Sequence, residues 1–206
     1  MNTIAFANED HDVTLVDFSP LMLAEAQRDA ERLGPAGGME FVVSPAEDRS
    51  GLDLAAQFDV ALSHNVIQYV EDPACHINAL REGLKPGGVV SILSVNACSE
   101  VYRAILQREE PAEALEQLGA KTHRAGMFDV EALRYTLDEI ECLLADAGFE
   151  TLATCGVRCF IDYIANNERK YEPEFYALLE KLELEVSDRF PFNATARFFQ
   201  LIARRD

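Results

Sequence analysis

The sequence predicts an α/β protein built on a parallel, doubly wound sheet, and three observations lead there. Short apolar segments alternate with helical patterns through residues 13–95, the spacing of βαβ units. One of them, "VVSILSV" at residues 89–95, is almost continuously apolar, as a strand covered on both faces must be. Residues 13–20, "VTLVDFSP", run a strand pattern into an acid, then Ser-Pro, then a helical pattern. That places Asp17 at the carboxyl end of a strand, where open α/β sheets bind ligands.

The elements follow in order. Residues 13–17 are the first strand. "PLMLAEAQRDAERLG" is an amphipathic helix with Leu21, Leu23, Ala24 and Ala26 as apolar positions and Gly34 as its C-cap. "MEFVV" is a second strand, ending in the loop "SPAEDRS", and "FDVALSH" is a third. "DPACHINALREGLK" is a helix with Asp72 as N-cap and Pro73 at its first position. "PGG" then turns the chain into "VVSILSV". Residues 99–135 read as a polar, mostly helical insertion with no clear strand. Thr136 and Glu139 form a capping box that opens the helix "LDEIECLLADAG". "FETLATCGVRCF" returns to strand, "EPEFYALLEKLELEVSD" is a helix, and "ATARFFQLIARR" closes the chain as a strand. With no internal repeat and no flexible linker, residues 1–206 read as a single domain.

Composition narrows the function classes. A hydrophobic share of 49% and a charged share of 26% belong to a globular protein. No run approaches the roughly 18 apolar residues of a membrane span, and the N-terminus has no basic region leading into a hydrophobic stretch. The five cysteines form neither a CxxC pair nor a cysteine–histidine zinc spacing, so no metal is expected. Cys155 and Cys159 read as small buried hydrophobes, and the whole as a reduced, cytoplasmic protein. The net charge of −18 excludes broad, nonspecific nucleic-acid binding, though not a nucleic acid held at one local basic patch.

Five residues invite a chemical reading on their own. Asp17 can accept hydrogen bonds from vicinal ribose hydroxyls, or it can answer the dipole of the helix that follows; both readings stand. Glu47 and Asp48 read as a solvated acidic loop. His64 reads first as a core histidine with its ring nitrogens satisfied. Arg158, at the end of an apolar strand, needs an anion. A substrate carboxylate and Asp162, four residues on, are equal candidates.

Taken together, "VTLVDFSPLMLAEAQ", "EFVVSPAED", "FDVALSHNVIQYVEDP" and "LREGLKPGGVVSIL" resemble the class I S-adenosylmethionine-dependent methyltransferases. In the C-terminal half, "CGVRCFIDY", "FYALLEKLELEVS" and "FNATARFFQLIARR" extend the likeness to the tRNA 5-carboxymethoxyuridine methyltransferase family, from about residue 1 to residue 205. The resemblance implies a Rossmann-like fold, S-adenosylmethionine as cofactor, and esterification of the carboxylate of a modified wobble uridine. It implies that Asp17 holds the ribose with Phe18 beside it, that Ala46 and Glu47 flank the adenine, and that His64 lines the methionine end. It leaves Arg158, Tyr163 and Asn96 to shape the acceptor pocket. No general base is needed, because a carboxylate acceptor is already ionised. Two positions depart from the family pattern. "LGAKTHRAGMF" supplies only Lys121, His123 and Arg124 where a strongly basic loop is usual, and Tyr69 stands where tryptophan is common. A methyltransferase of a small acidic metabolite and a catalytically silent binding module are the alternatives.

The resemblance also bears on the start of the chain. Residues 1–11 match the latter part of the family's first helix, so its first strand and glycine-rich loop fall outside this sequence. A start codon placed too far downstream is the expected cause. Because that strand is central in the order 3-2-1-4-5, its neighbours are expected either to keep unpaired edges or to close on each other.

Overall fold

The computed structural model describes residues 2–47, 55–125 and 130–206. Asp48 of the acidic loop lies outside the described residues. The chain forms two compact units, Met1–Asp53 and Leu54–Asp206.

The first unit runs α1 (Asn2–Asn8), β1 (Val13–Asp17), α2 (Pro20–Leu33) and β2 (Met39–Val43). β1 and β2 pair in parallel, from Val13 opposite Met39 to Asp17 opposite Val43. α2 begins as its sequence requires: Ser19 Oγ accepts the Met22 amide at 3.4 Å, and Pro20 takes the first helical position, where its missing N–H costs nothing. Gly34 ends it in the left-handed region, φ 57°, donating its amide to Ala30 O at 2.8 Å. Ala7, Leu23 and Ala30 are the buried apolar residues of this unit among those described, while Val16 and Val43 are exposed.

The second unit begins with β3 (Phe58–His64), a 3-10 turn at Ile67–Tyr69, α3 (Pro73–Gly83) and β4 (Leu84–Val95). It continues through α4 (Ser99–Leu106), α5 (Pro111–Gln117), β5 (Thr122–Ala125), β6 (Val130–Leu133), α6 (Leu137–Asp146) and β7 (Phe149–Val157). A 3-10 turn at Ile161–Tyr163, α7 (Asn167–Lys170), α8 (Pro173–Val186), α9 (Phe192–Thr195) and β8 (Phe198–Arg205) complete it. Its main sheet has the order β3-β4-β8-β7. The core lies on its two inner strands, where Val90, Ile92, Phe199, Leu201 and Ala203 are fully buried.

Three expectations are corrected here. The sheet is mixed, because β8 runs antiparallel to both β4 and β7; an antiparallel strand on an otherwise parallel sheet is a common variant. "LKPGG" is taken up at the start of β4 rather than preceding it, and the surplus residues are absorbed by a register shift in which Phe58 faces Leu84 but Val60 faces Val89. The 99–135 insertion holds an antiparallel hairpin, β5 with β6, beside its helices. Four-residue strands give too few alternations to stand out in sequence.

Among the described residues, β1 pairs only with β2, and β3 only with β4. No described helix is long and apolar enough to cross a membrane, no group of three described side chains could hold a metal ion, and all five cysteines are free.

Candidate functional site

In the first unit the register of β1 with β2 brings two sequence-distant segments to one strand edge. Asp17 faces Val43, and Ser44 donates its amide to Asp17 O at 3.1 Å, so the loop carrying Ala46 and Glu47 starts beside Asp17. The Asp17 carboxylate divides its work. Its Oδ1 accepts the Ser19 amide at 2.8 Å, helping to start α2, and its Oδ2 has no hydrogen-bond partner among the described residues. Helix start and free acceptor are thus both present in one side chain. Phe18 is 76% exposed, an apolar ring left in water at this edge. Ala46 and Glu47 are each engaged by other parts of the chain, so neither is a free group.

In the second unit the topology gathers another set. Two antiparallel steps make β7 run in the direction of β3 and β4, so the carboxyl ends of all three share one edge of the sheet. His64, Asn96, Arg158 and Tyr163 all fall at or just beyond those ends. His64 Nε2 meets Ser91 Oγ at 2.9 Å, and Gln200 Nε2 donates to the same hydroxyl at 2.9 Å. The hydroxyl, with one proton and two lone pairs, anchors the imidazole beside Gln200. Burial pushes the His64 pKa below its ordinary value, so the ring is neutral at pH 7.

Asn96 is committed to the fold. It is buried; its Nδ2 donates to Ala194 O at 2.9 Å and its Oδ1 accepts the Cys98 amide at 3.2 Å. Arg158 is half exposed and left-handed, φ 62°; its Nη2 donates to Asp162 Oδ1 at 2.5 Å and its guanidinium lies 5.7 Å from the centre of the Phe198 ring. Tyr163 donates its hydroxyl to Thr195 O at 2.6 Å, and its ring lies 5.9 Å from that of Tyr102. Burial pushes its phenol upward, keeping it protonated.

Two features escape the sequence. The first is a carboxylate shared by arginines: Glu100 accepts from Arg103 at 3.0 Å and from Arg197, with Arg108 at 3.8 Å. Burial alone would raise the Glu100 pKa, but Arg197 and Arg103 outweigh it and hold it below its ordinary value. Arg134 is buried nearby, donating to Gln117 Oε1 at 2.6 Å and feeling the Glu100 charge. The second is Glu183 on α8, whose carboxylate accepts the amides of Cys159, Phe160 and Ile161 at 2.5, 2.9 and 2.9 Å. Both acids lie in helices where an acid is ordinary, and only tertiary contact marks them. The result is an edge where arginines and carboxylates are paired within the protein, with the Arg158 guanidinium half exposed.

Comparison with known proteins gives a consistent picture. A family model described as a methyltransferase domain matches residues 2–139. The tRNA 5-carboxymethoxyuridine methyltransferase of Escherichia coli strain K12 is 27% identical over 208 residues, covering 98% of this chain and 75% of that protein. A ubiquinone biosynthesis O-methyltransferase of Psychrobacter arcticus is 28% identical over 145 residues, covering 70% of this chain and 53% of that protein. Among solved structures, a SAM-dependent methyltransferase from Methanosarcina mazei superposes with a TM-score of 0.63 at 18% identity, covering 98% of this chain and 85% of that one.

Proposed function

Because the chain belongs to the methyltransferase domain family, we propose that it methylates a carboxylate from S-adenosylmethionine, the acceptor being the 5-carboxymethoxy group of a modified wobble uridine in tRNA. The observation that carries this reading is the likeness to the Escherichia coli enzyme along nearly the whole chain. The half-exposed guanidinium of Arg158 at the carboxyl end of β7 supports it, since its planar donors suit a carboxylate.

When bound, S-adenosylmethionine supplies a methyl group on a positively charged sulfur. In this reading each unit offers groups of the kinds it needs. Asp17 offers a carboxylate oxygen without a partner for a ribose hydroxyl, Phe18 an exposed ring, and Ala46 with Glu47 a short turn for the adenine. His64, neutral and anchored on Ser91, lines the methionine end without adding a charge to repel the sulfonium. Arg158 orients the acceptor carboxylate while Asp162 holds the guanidinium in place, and Tyr163 and Asn96 shape the same pocket. In this reading residues 1–206 act as one methyltransferase domain. The acceptor is already an anion, so no side chain has to remove a proton, and orientation in a water-poor pocket does the catalytic work.

A small acidic metabolite is the second acceptor class, favoured by the net charge, which opposes polyanion binding. The test is transfer of labelled methyl groups to tRNA bearing unesterified 5-carboxymethoxyuridine and, in parallel, to a panel of small carboxylic acids. Label in tRNA that mild alkali releases as methanol supports the first reading. Alkali-labile label in the small acids alone replaces it with the second. No transfer, together with no binding of S-adenosylhomocysteine, leaves a silent binding module.

A further inference from the structure

We propose that Glu183 is a positioning residue that sets the aim of Arg158 toward the methyl acceptor, an inference that rests on the reading of Arg158 as an acceptor-binding residue. Arg158 follows the last residue of β7 and sits in the left-handed region, φ 62°. A residue with a β-carbon is disfavoured there and stays only when its surroundings over-determine it. The surroundings are visible. The next three amides, of Cys159, Phe160 and Ile161, converge on the one carboxylate of Glu183. Successive N–H groups turned to one side in this way form a concave anion-binding nest, here filled from within the protein.

Two further contacts close the turn. Arg197 donates its amide to Arg158 O at 3.1 Å, and Cys159 is buried against Val186 and Ala196. Burial pushes the Cys159 thiol up to about 11, with the Glu183 carboxylate adding to the rise, so the sulfur stays a neutral packing group. The backbone that launches the Arg158 side chain is therefore fixed from α8, while the guanidinium itself remains half exposed at the sheet edge. Aim and accessibility are supplied by different elements. With an uncharged amide in its place, at least one of the three amides loses its acceptor and the rest lose a charged one, so Arg158 can leave the left-handed region, carrying its planar donors away from the acceptor.

A double-mutant cycle between Glu183→Gln and Arg158→Met tests this, read with tRNA bearing 5-carboxymethoxyuridine as acceptor and with calorimetric binding of S-adenosylhomocysteine. Glu183→Gln should lower kcat/KM for the acceptor roughly 10- to 100-fold and leave S-adenosylhomocysteine affinity within about twofold. In the Arg158→Met background the same change should alter kcat/KM by less than about twofold, since the group it positions is gone. Additive losses in the cycle would overturn the proposal, because they would mean that Glu183 acts on the fold and not through Arg158. Should Glu183→Gln fail to fold, Glu183→Asp, which keeps the charge and shortens the reach, runs the same cycle. If the enzyme methylates only acceptors other than carboxylates, the functional reading fails while the cycle on that acceptor still decides Glu183. A wild-type protein that methylates nothing overturns both.

Discussion

At the scale of single residues, Asp17 shows how one side chain serves structure and ligand together. Its Oδ1 is bound to the Ser19 amide and its Oδ2 is open, so removing the whole carboxylate should do two kinds of harm. Asp17→Ala is expected to weaken S-adenosylhomocysteine binding by about 1.5–3 kcal/mol, the range for hydrogen bonds to a charged acceptor. Asp17→Asn keeps an oxygen for Ser19 but loses the second acceptor and the charge, so calorimetry should show losses of similar size in both variants; a loss in Asp17→Ala alone would place the effect in the helix start instead. His64 gives the pH dependence. Its folded pKa lies below the ordinary 6.5, so between the two values the unfolded chain takes up a proton that the folded chain refuses. Stability therefore falls as pH drops through that window. Thermal melts between about pH 7.5 and 5.5 should show a shallower fall in His64→Gln than in the wild type.

Among elements, β7 depends on how closely a helix approaches it. A β-carbon built on Gly156 would lie 2.7 Å from both Ala196 Cβ and Asn193 Cα, and the Gly156 amide donates to Ser187 O at 2.6 Å. The glycine is there for proximity, and the contact ties β7 to α9. Gly156→Ala should lower stability by roughly 1–3 kcal/mol, the usual result of overpacking. Adding Ala196→Gly should restore only part of the loss, because the Asn193 backbone remains in the way; full restoration in thermal melts would show that backbone to be compliant. The capping box at α6 is a contrasting case, built from neighbours: Thr136 donates its amide to Glu139 Oε2 at 2.9 Å and Oγ1 accepts the Glu139 amide at 3.3 Å.

On the scale of the whole molecule, the two units differ in how much they bury. β4 and β8 carry a line of fully buried residues, Val90, Ile92, Phe199, Leu201 and Ala203, whereas the first unit buries Ala7, Leu23 and Ala30 and exposes Val16, Val43, Leu21 and Met22. Hydrophobic burial scales with area removed from water, so the units should differ in opening free energy. Amides of β4 and β8 are expected to exchange roughly 100-fold or more slowly than those of β1 and β2 in native-state hydrogen exchange. Equal protection in the two sheets would mean that both units open as one cooperative body.

Features carried by neighbouring residues were legible in the sequence. The alternation of strands and helices, the Ser19–Pro20 and Asp72–Pro73 helix starts, the Gly34 cap and the Thr136–Glu139 box all appear where local pattern places them, because each depends on contacts within a few residues. The family followed from motifs of the same local kind. The direction of β8, the β5–β6 hairpin and the bulged start of β4 did not, since pairing partners far along the chain decide them. Among site residues, the sequence marked Asp17, His64 and Arg158 by type and position, and it offered Asp162 as one of two candidate partners of Arg158, a pair the fold forms. Ser91 holding His64 and Glu183 holding the turn behind Arg158 are set by tertiary structure. A serine or a glutamate carries no signal of its own; distance and burial give it a role, and only the folded chain fixes those.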